Sequence, residues 1–158
     1  MTVRTAGLLV ATALFALSVL QAGCNPKAAD STSGGSDTTT PATTSPFDNG
    51  PRANSVVADP VKAAKGKALF SAKGCTACHG FGRRMAGPDL KGVTGRRTDE
   101  WMTHWLAAPD VMQKSDAIAR QLLAQFPTQM PNLHLTPDEV AQLIDYLRLQ
   151  DKTLGATQ

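Results

Sequence analysis

Cys75-Thr76-Ala77-Cys78-His79 places two thiols three positions apart, with an imidazole directly after the second. That pattern is what covalent attachment of a c-type haem requires. The two sulfurs can add to the two vinyl groups of one haem, and a helical turn carries the His79 imidazole under the iron as proximal ligand. The same thiol spacing serves thioredoxin-like redox pairs and half of a zinc site. A zinc site needs a second Cys or His pair at suitable spacing, and His104 and His134 stand alone. A redox pair belongs in a βαβ context, and nothing nearby alternates like a strand. One covalently attached c-type haem is therefore the expected cofactor.

Gly87-Pro88-Asp89-Leu90 begins eight residues after His79. A ligating imidazole needs its other nitrogen oriented, usually by a backbone carbonyl or a carboxylate. Proline offers a carbonyl with no competing N–H on a backbone of fixed φ, so Pro88 is expected to orient His79.

For the sixth iron position the downstream candidates are Met85, Met102, Met112, Met130, His104 and His134. Met85 is too close in sequence to His79 to return from the opposite face. Met102 and His104 lie in Asp99–Ala107, which reads as a helix with Trp101 and Trp105 one turn apart and Pro109 stopping it. Met112 follows in a turn-like stretch and could reach. Met130 sits between Pro127 and Pro131 in an extended loop that can lay one thioether across the distal face. Met130 is the favoured axial ligand, with ligation by His134 or His104 the alternative. Arg96 and Arg97 are candidate partners for haem propionates, since guanidinium pairs bidentately with carboxylate.

The elements that must position these groups read as helices. Thr136-Pro137-Asp138-Glu139 is a capping box with proline at the first helical position. Val140, Leu143, Ile144 and Leu147 then follow at i, i+3, i+4 and i+7, a buried stripe. Asp59 caps and Pro60 starts an earlier helix whose face carries Ala63, Gly66 and Phe70. Glycine costs about 1 kcal/mol inside a helix, so Gly66 points to close helix–helix approach. With no convincing strand, the fold class is all-α.

Taken together, residues 59 to 152, about six-tenths of the chain, resemble a class I cytochrome c. In that family an N-terminal helix crosses a C-terminal one, and the matching residues here are Gly66 and Phe70 against Leu143 and Tyr146. The resemblance implies helices wrapped around one haem attached to Cys75 and Cys78, with His79 and Met130 as axial ligands and Pro88 in the proline loop. It also implies that Trp105 packs in the haem pocket near the methionine. The stretch from Pro109 to Met130 is longer than in the mitochondrial proteins. It is expected to hold an extra helix before the methionine loop, with Ile118, Leu122, Leu123 and Phe126 on one stripe.

Residues 1–23 read as a signal peptide: Arg4 precedes an apolar run from Ala6 to Leu20 that is too short for a comfortable membrane span. The run ends in Leu20-Gln21-Ala22-Gly23-Cys24, which resembles the bacterial lipobox and makes Cys24 the expected lipidation site, although Gln21 departs from the usual small or apolar residue. This implies an extracytoplasmic, periplasmic-side protein of a bacterial envelope, anchored to the membrane through lipid. Residues 24–58 are rich in Ser, Thr, Gly, Ala and Pro and are expected to form a disordered tether. Residues 59–152 form the haem domain, and 153–158 a short tail.

A net charge of +3 gives no support to nucleic-acid binding. Its distribution is uneven: Asp59–Arg97 holds nine Lys and Arg against two Asp, and Thr98–Lys152 holds four against eight acidic residues. The basic half could steer a monomer towards acidic surfaces of redox partners. The expected function is single-electron carriage between ferric and ferrous states, without an enzymatic site. The alternatives are an electron-entry subunit of a larger oxidase or reductase, or a peroxidase-like or gas-binding haem with an open sixth position.

Overall fold

Asp59 and Pro60 start the first helix. In the computed structural model, which describes residues 44–155, the Asp59 carboxylate accepts hydrogen bonds from the Val61 and Lys62 amides at 2.8 and 3.1 Å. Helix α1 then runs Pro60–Ala72 and buries Ala63, Gly66 and Phe70. These residues meet α6, Pro137–Gly155. Its start is reciprocal: Thr136 donates its amide to Glu139 Oε2 at 2.8 Å, and the Glu139 amide donates to Thr136 Oγ1 at 3.3 Å.

The α1–α6 crossing explains Gly66. A Cβ there would run into the Gln142 carbonyl and stand 2.9 Å from Tyr146 Cβ. The backbones touch at this point, and only a residue without a side chain lets them. Beside it the Phe70 and Tyr146 rings lie 5.4 Å apart between centroids, with Phe81 edge-on to Tyr146 at 5.9 Å. Tilted and edge-on aromatic pairs each add about 0.5–1.5 kcal/mol beyond area burial.

Between these helices come α2 (Val93–Arg96), α3 (Asp99–Ala107), α4 (Pro109–Ser115) and α5 (Ala117–Gln125). Trp101, Met102, Met112, Ile118, Val140, Leu143, Ile144 and Leu147 form the core. Among the described residues there is no strand, only an isolated antiparallel bridge between Arg52 and Thr98. The all-α class is the observed one.

Several sequence expectations differ from the structure. The insertion between Pro109 and Met130 holds two helices, not one, because Asp116 is extended and restarts the chain as the cap of α5. Met112, expected in a turn, is a helical core residue 3% exposed, and Phe126 lies just past the end of α5. At the C-terminus, α6 continues through Gly155, so the tail expected from residue 153 begins as helix.

A further difference is where the folded part begins. Residues 45–55, assigned by composition to the tether, pack on the helices. Ser45 and Ala53 are both 1% exposed, and the Phe47 ring stacks on His104 at 4.0 Å. Asp48 accepts from the Thr98 amide at 2.8 Å and from Arg52 at 3.1 Å, and the Ala53 amide donates to the Arg97 carbonyl at 2.8 Å. Arg148 of α6 ties the segment down: Nε donates to the Ala53 carbonyl at 2.8 Å while the guanidinium also pairs with Asp145 and Asp99. Backbone hydrogen bonds and ion pairs hold this strap, so a count of large apolar residues misses it. The leader, Cys24 and the proposed tether as far as residue 43 lie outside the described residues.

Candidate functional site: a haem cavity

Gly74 is the pivot of the Cys-X-X-Cys-His segment. It closes α1 with φ of 73°, a left-handed conformation open to glycine, and launches a single 3-10 turn over Cys75–Ala77. The Cys78 and His79 amides both donate to the Cys75 carbonyl, at 3.2 and 3.0 Å, so the turn brings both thiols and the imidazole together. Cys75 and Cys78 are half-buried free thiols. Burial pushes the Cys75 thiol above its ordinary value, with the neighbouring Cys78 adding to the effect. A raised thiol pKa slows thiol–disulfide exchange, which needs the thiolate.

The following loop orients the histidine. His79 Nδ1 lies 2.9 Å from the Pro88 carbonyl oxygen. A carbonyl can only accept, so Nδ1 carries the proton and Nε2 keeps its lone pair for a metal. Gly87 is required beside it: a Cβ there would stand 2.6 Å from His79 Cε1 and 3.1 Å from the Cys78 carbonyl. The Gly87 amide returns to the Cys78 carbonyl at 2.8 Å and the Leu90 amide to Gly80 at 2.9 Å, closing the loop on the motif.

Behind this loop stands Asp151 of α6, which sequence reasoning missed. Its carboxylate accepts from the Gly92 and Thr94 amides at 2.6 and 2.9 Å and from the Thr94 hydroxyl at 2.6 Å. It thereby caps α2 and moors the loop to the terminal helix. No local signal marks it, because its partners lie 57 and 59 residues away. On the other side Arg84 lies over the Phe126 ring at 4.1 Å and donates to the Gln125 carbonyl at 2.7 Å, joining the loop to the end of α5.

Cys75, Cys78, His79 and Pro88 line one cavity of about 240 Å³. Its wall is largely apolar: Leu90, Val93, Trp101, Leu106, Leu143 and Leu147 contribute. Trp105 lines it too, stacked on Trp101 at 5.4 Å and 10°. Met130 and Met102 are the sequence-derived thioether candidates that reach this wall, Met102 as a core residue 3% exposed. Met85, Met112, His104 and His134 do not line it. His104 is exposed and stacks on Phe47, and His134 is exposed at a positive φ of 50°.

Arg96 and Arg97 also line the cavity, and both are already engaged. Arg96 donates to the Asp89 carbonyl at 2.9 Å, and Arg97 pairs with Asp48 at 3.5 Å and lies over the Trp101 ring at 5.1 Å. Burial lowers the Arg97 pKa, with Asp48 opposing. An apolar slot with two thiols at its rim, an imidazole with a free Nε2 and a thioether in its wall fits a haem and its donor set.

The family model described as cytochrome c matches residues 63–150, more than half of the chain. The chain belongs to the cytochrome c family. Its cofactor is accordingly a covalently bound c-type haem with iron, and its activity is haem-based electron transfer. Among solved structures it is similar to a cytochrome c from Rhodothermus marinus: 29% identity over 60% of this chain and 81% of that one, with a TM-score of 0.58. An engineered form of that cytochrome c matches at 29% identity over the same shares, with a TM-score of 0.57. The engineered protein bound to a carbene intermediate matches over 60% of this chain and 80% of that one, at 29% identity and a TM-score of 0.54. No curated protein matches.

Proposed function

We propose that this cytochrome c is a single-electron carrier whose iron is held between His79 and Met130. The observation that carries the reading is the His79–Pro88 contact at 2.9 Å, in the same cavity wall as Met130. The haem supplies a one-electron ferric–ferrous couple when bound. The polypeptide's part is to present Cys75 and Cys78 for attachment and to keep His79 in one tautomer. It also excludes water with the Trp101–Trp105 and leucine wall. A thioether sixth ligand favours the ferrous state and raises the potential. Arg96 and Arg97 would meet the propionates, and Trp105 would pack on the haem beside Met130.

Met130→Ala tests the ligand assignment. The ferric parent is expected to show the weak far-red charge-transfer band of sulfur-ligated haem, and the variant to lose it and bind carbon monoxide when reduced. A variant that keeps the band and excludes carbon monoxide removes Met130 from the site. A parent that binds carbon monoxide freely would favour instead the gas-binding or peroxidase-like reading. The Rhodothermus protein bound to a carbene intermediate is an engineered one, and electron carriage remains the function proposed here.

Localisation follows from the leader. We infer that Cys24 is lipidated, that the haem domain works on the periplasmic side of a bacterial envelope, and that it docks as a monomer on redox partners of a respiratory chain. The excess of Lys and Arg over Asp between Asp59 and Arg97 favours acidic partner surfaces. Among the described residues no helix is long and apolar enough to cross a membrane. A single acyl chain binds membranes only marginally, so stable retention requires more than one. The mass of the mature N-terminus decides: a diacylated or triacylated Cys24 is expected, and an unmodified N-terminus at or after Cys24 refutes the lipid anchor. Co-purification with an integral complex would mark a fixed subunit rather than a free carrier.

A further inference from the structure

The inserted helix α4 has a face turned to the methionine loop. Asp110 and Gln113 stand one turn apart on it, at the i, i+3 spacing that puts two side chains on the same side. Gln113 Nε2 donates to the Met130 carbonyl at 3.0 Å. Asp110 Oδ1 accepts from Asn132 Nδ2 at 2.8 Å, and Asn132 Oδ1 in turn accepts from the His134 amide at 2.9 Å. Residues 129–136 have no regular secondary structure of their own. Both attachments come from α4, a helix anchored by its buried Pro109 and Met112.

Gln113 is an unusual choice for this position. It is 8% exposed and lines the haem cavity, yet its Oε1 has no hydrogen-bond partner among the described residues. The orientation is dictated, because only the amide N–H can face the Met130 carbonyl. An unpaired buried oxygen is costly, and an apolar side chain of the same length would fill the space without that cost. What an apolar replacement cannot do is hold Met130.

We propose that α4 is a clamp on the axial methionine, with Gln113 and Asp110 as positioning residues that hold the Met130 loop against the cavity. This rests on Met130 being the sixth ligand. Any incoming ligand must compete with the closed loop, so loosening the clamp raises its apparent affinity in proportion to the open fraction.

The test uses the full haem-loaded ferric chain titrated with imidazole, with the far-red band and thermal unfolding followed in parallel. Gln113→Met is expected to raise the apparent imidazole affinity about fivefold, the worth of one ordinary hydrogen bond, while leaving stability equal or higher. Asp110→Ala, which loses an exposed contact, is expected to raise it about twofold. A purely structural glutamine would give the opposite pattern, reduced stability with parent-like imidazole affinity, and that result overturns the clamp. Met130→Ala is titrated alongside. If it too binds imidazole like the parent, the ligand reading fails and takes the clamp with it. If it binds much more tightly while Gln113→Met and Asp110→Ala match the parent, the clamp alone is wrong.

Discussion

Replacing both Cys75 and Cys78 with alanine abolishes covalent haem: after acid–acetone extraction and denaturing electrophoresis, the haem stain leaves the polypeptide band entirely. Either single replacement leaves at most one thioether, with a correspondingly shifted alkaline pyridine spectrum. The expectation rests on the turn after Gly74, which brings both sulfurs to the rim of the cavity that His79 lines. His79 and the apolar wall persist in the double variant, so it can still bind haem non-covalently under native conditions. The readout must therefore be denaturing. A haem-stained band from the double variant would overturn the attachment.

Asp116→Ala destabilises the folded domain by about 2–4 kcal/mol, since it strands two buried donors, one of them the amide it caps in α5. Asp116 is 2% exposed, accepts from Trp101 Nε1 at 3.1 Å and from the Ala119 amide at 2.9 Å, and caps α5. For a domain of this size the loss corresponds to roughly 10 °C or more in Tm. The carboxylate also makes stability depend on pH. Burial opposes its ionisation, but hydrogen bonds, those from Ala119 and Trp101 among them, outweigh it and hold the folded-state pKa below the ordinary carboxylate value. A depressed carboxylate pKa stabilises the fold above the unfolded value and loses that contribution as pH falls through the folded value. The stability gap between the parent and Asp116→Asn is therefore full near neutrality and closes in acid. Unfolding curves taken from pH 7 down to pH 3 measure it, and a gap that stays constant would show that the charge contributes nothing.

Trp101 connects this prediction to the haem site. Its indole N–H is held by Asp116 while its ring lines the cavity and stacks on Trp105. Asp116→Ala should thus loosen the cavity wall as well as α5, and Asp116→Asn, which retains an acceptor, should spare most of it.

What was legible in the chain is whatever depends on neighbours in sequence. The haem motif, the Pro88 carbonyl, both long-helix caps and the α6 stripe are all settled within a dozen residues. Gly66 was legible for a related reason: a costly glycine in a helix points to contact, here with Gln142 and Tyr146. The reach of Asp151 to Gly92 and Thr94, of Arg148 to Ala53 and Asp99, and of Gln113 to Met130 left no such trace. The strap was hidden because its Ser, Asp and Gly residues look like tether until the α2–α3 junction supplies the amides and carbonyls they bind. In one dimension Met130 was favoured, but Met112 stayed open as a candidate that could reach. They separate only when Asp116 breaks the insertion into two helices, which buries Met112 in the core and leaves Met130 in the cavity wall. Local hydrogen bonding and periodicity can be read from order along the chain. Which distant polar group finds which partner is decided by packing, because that pairing exists only once the helices have met.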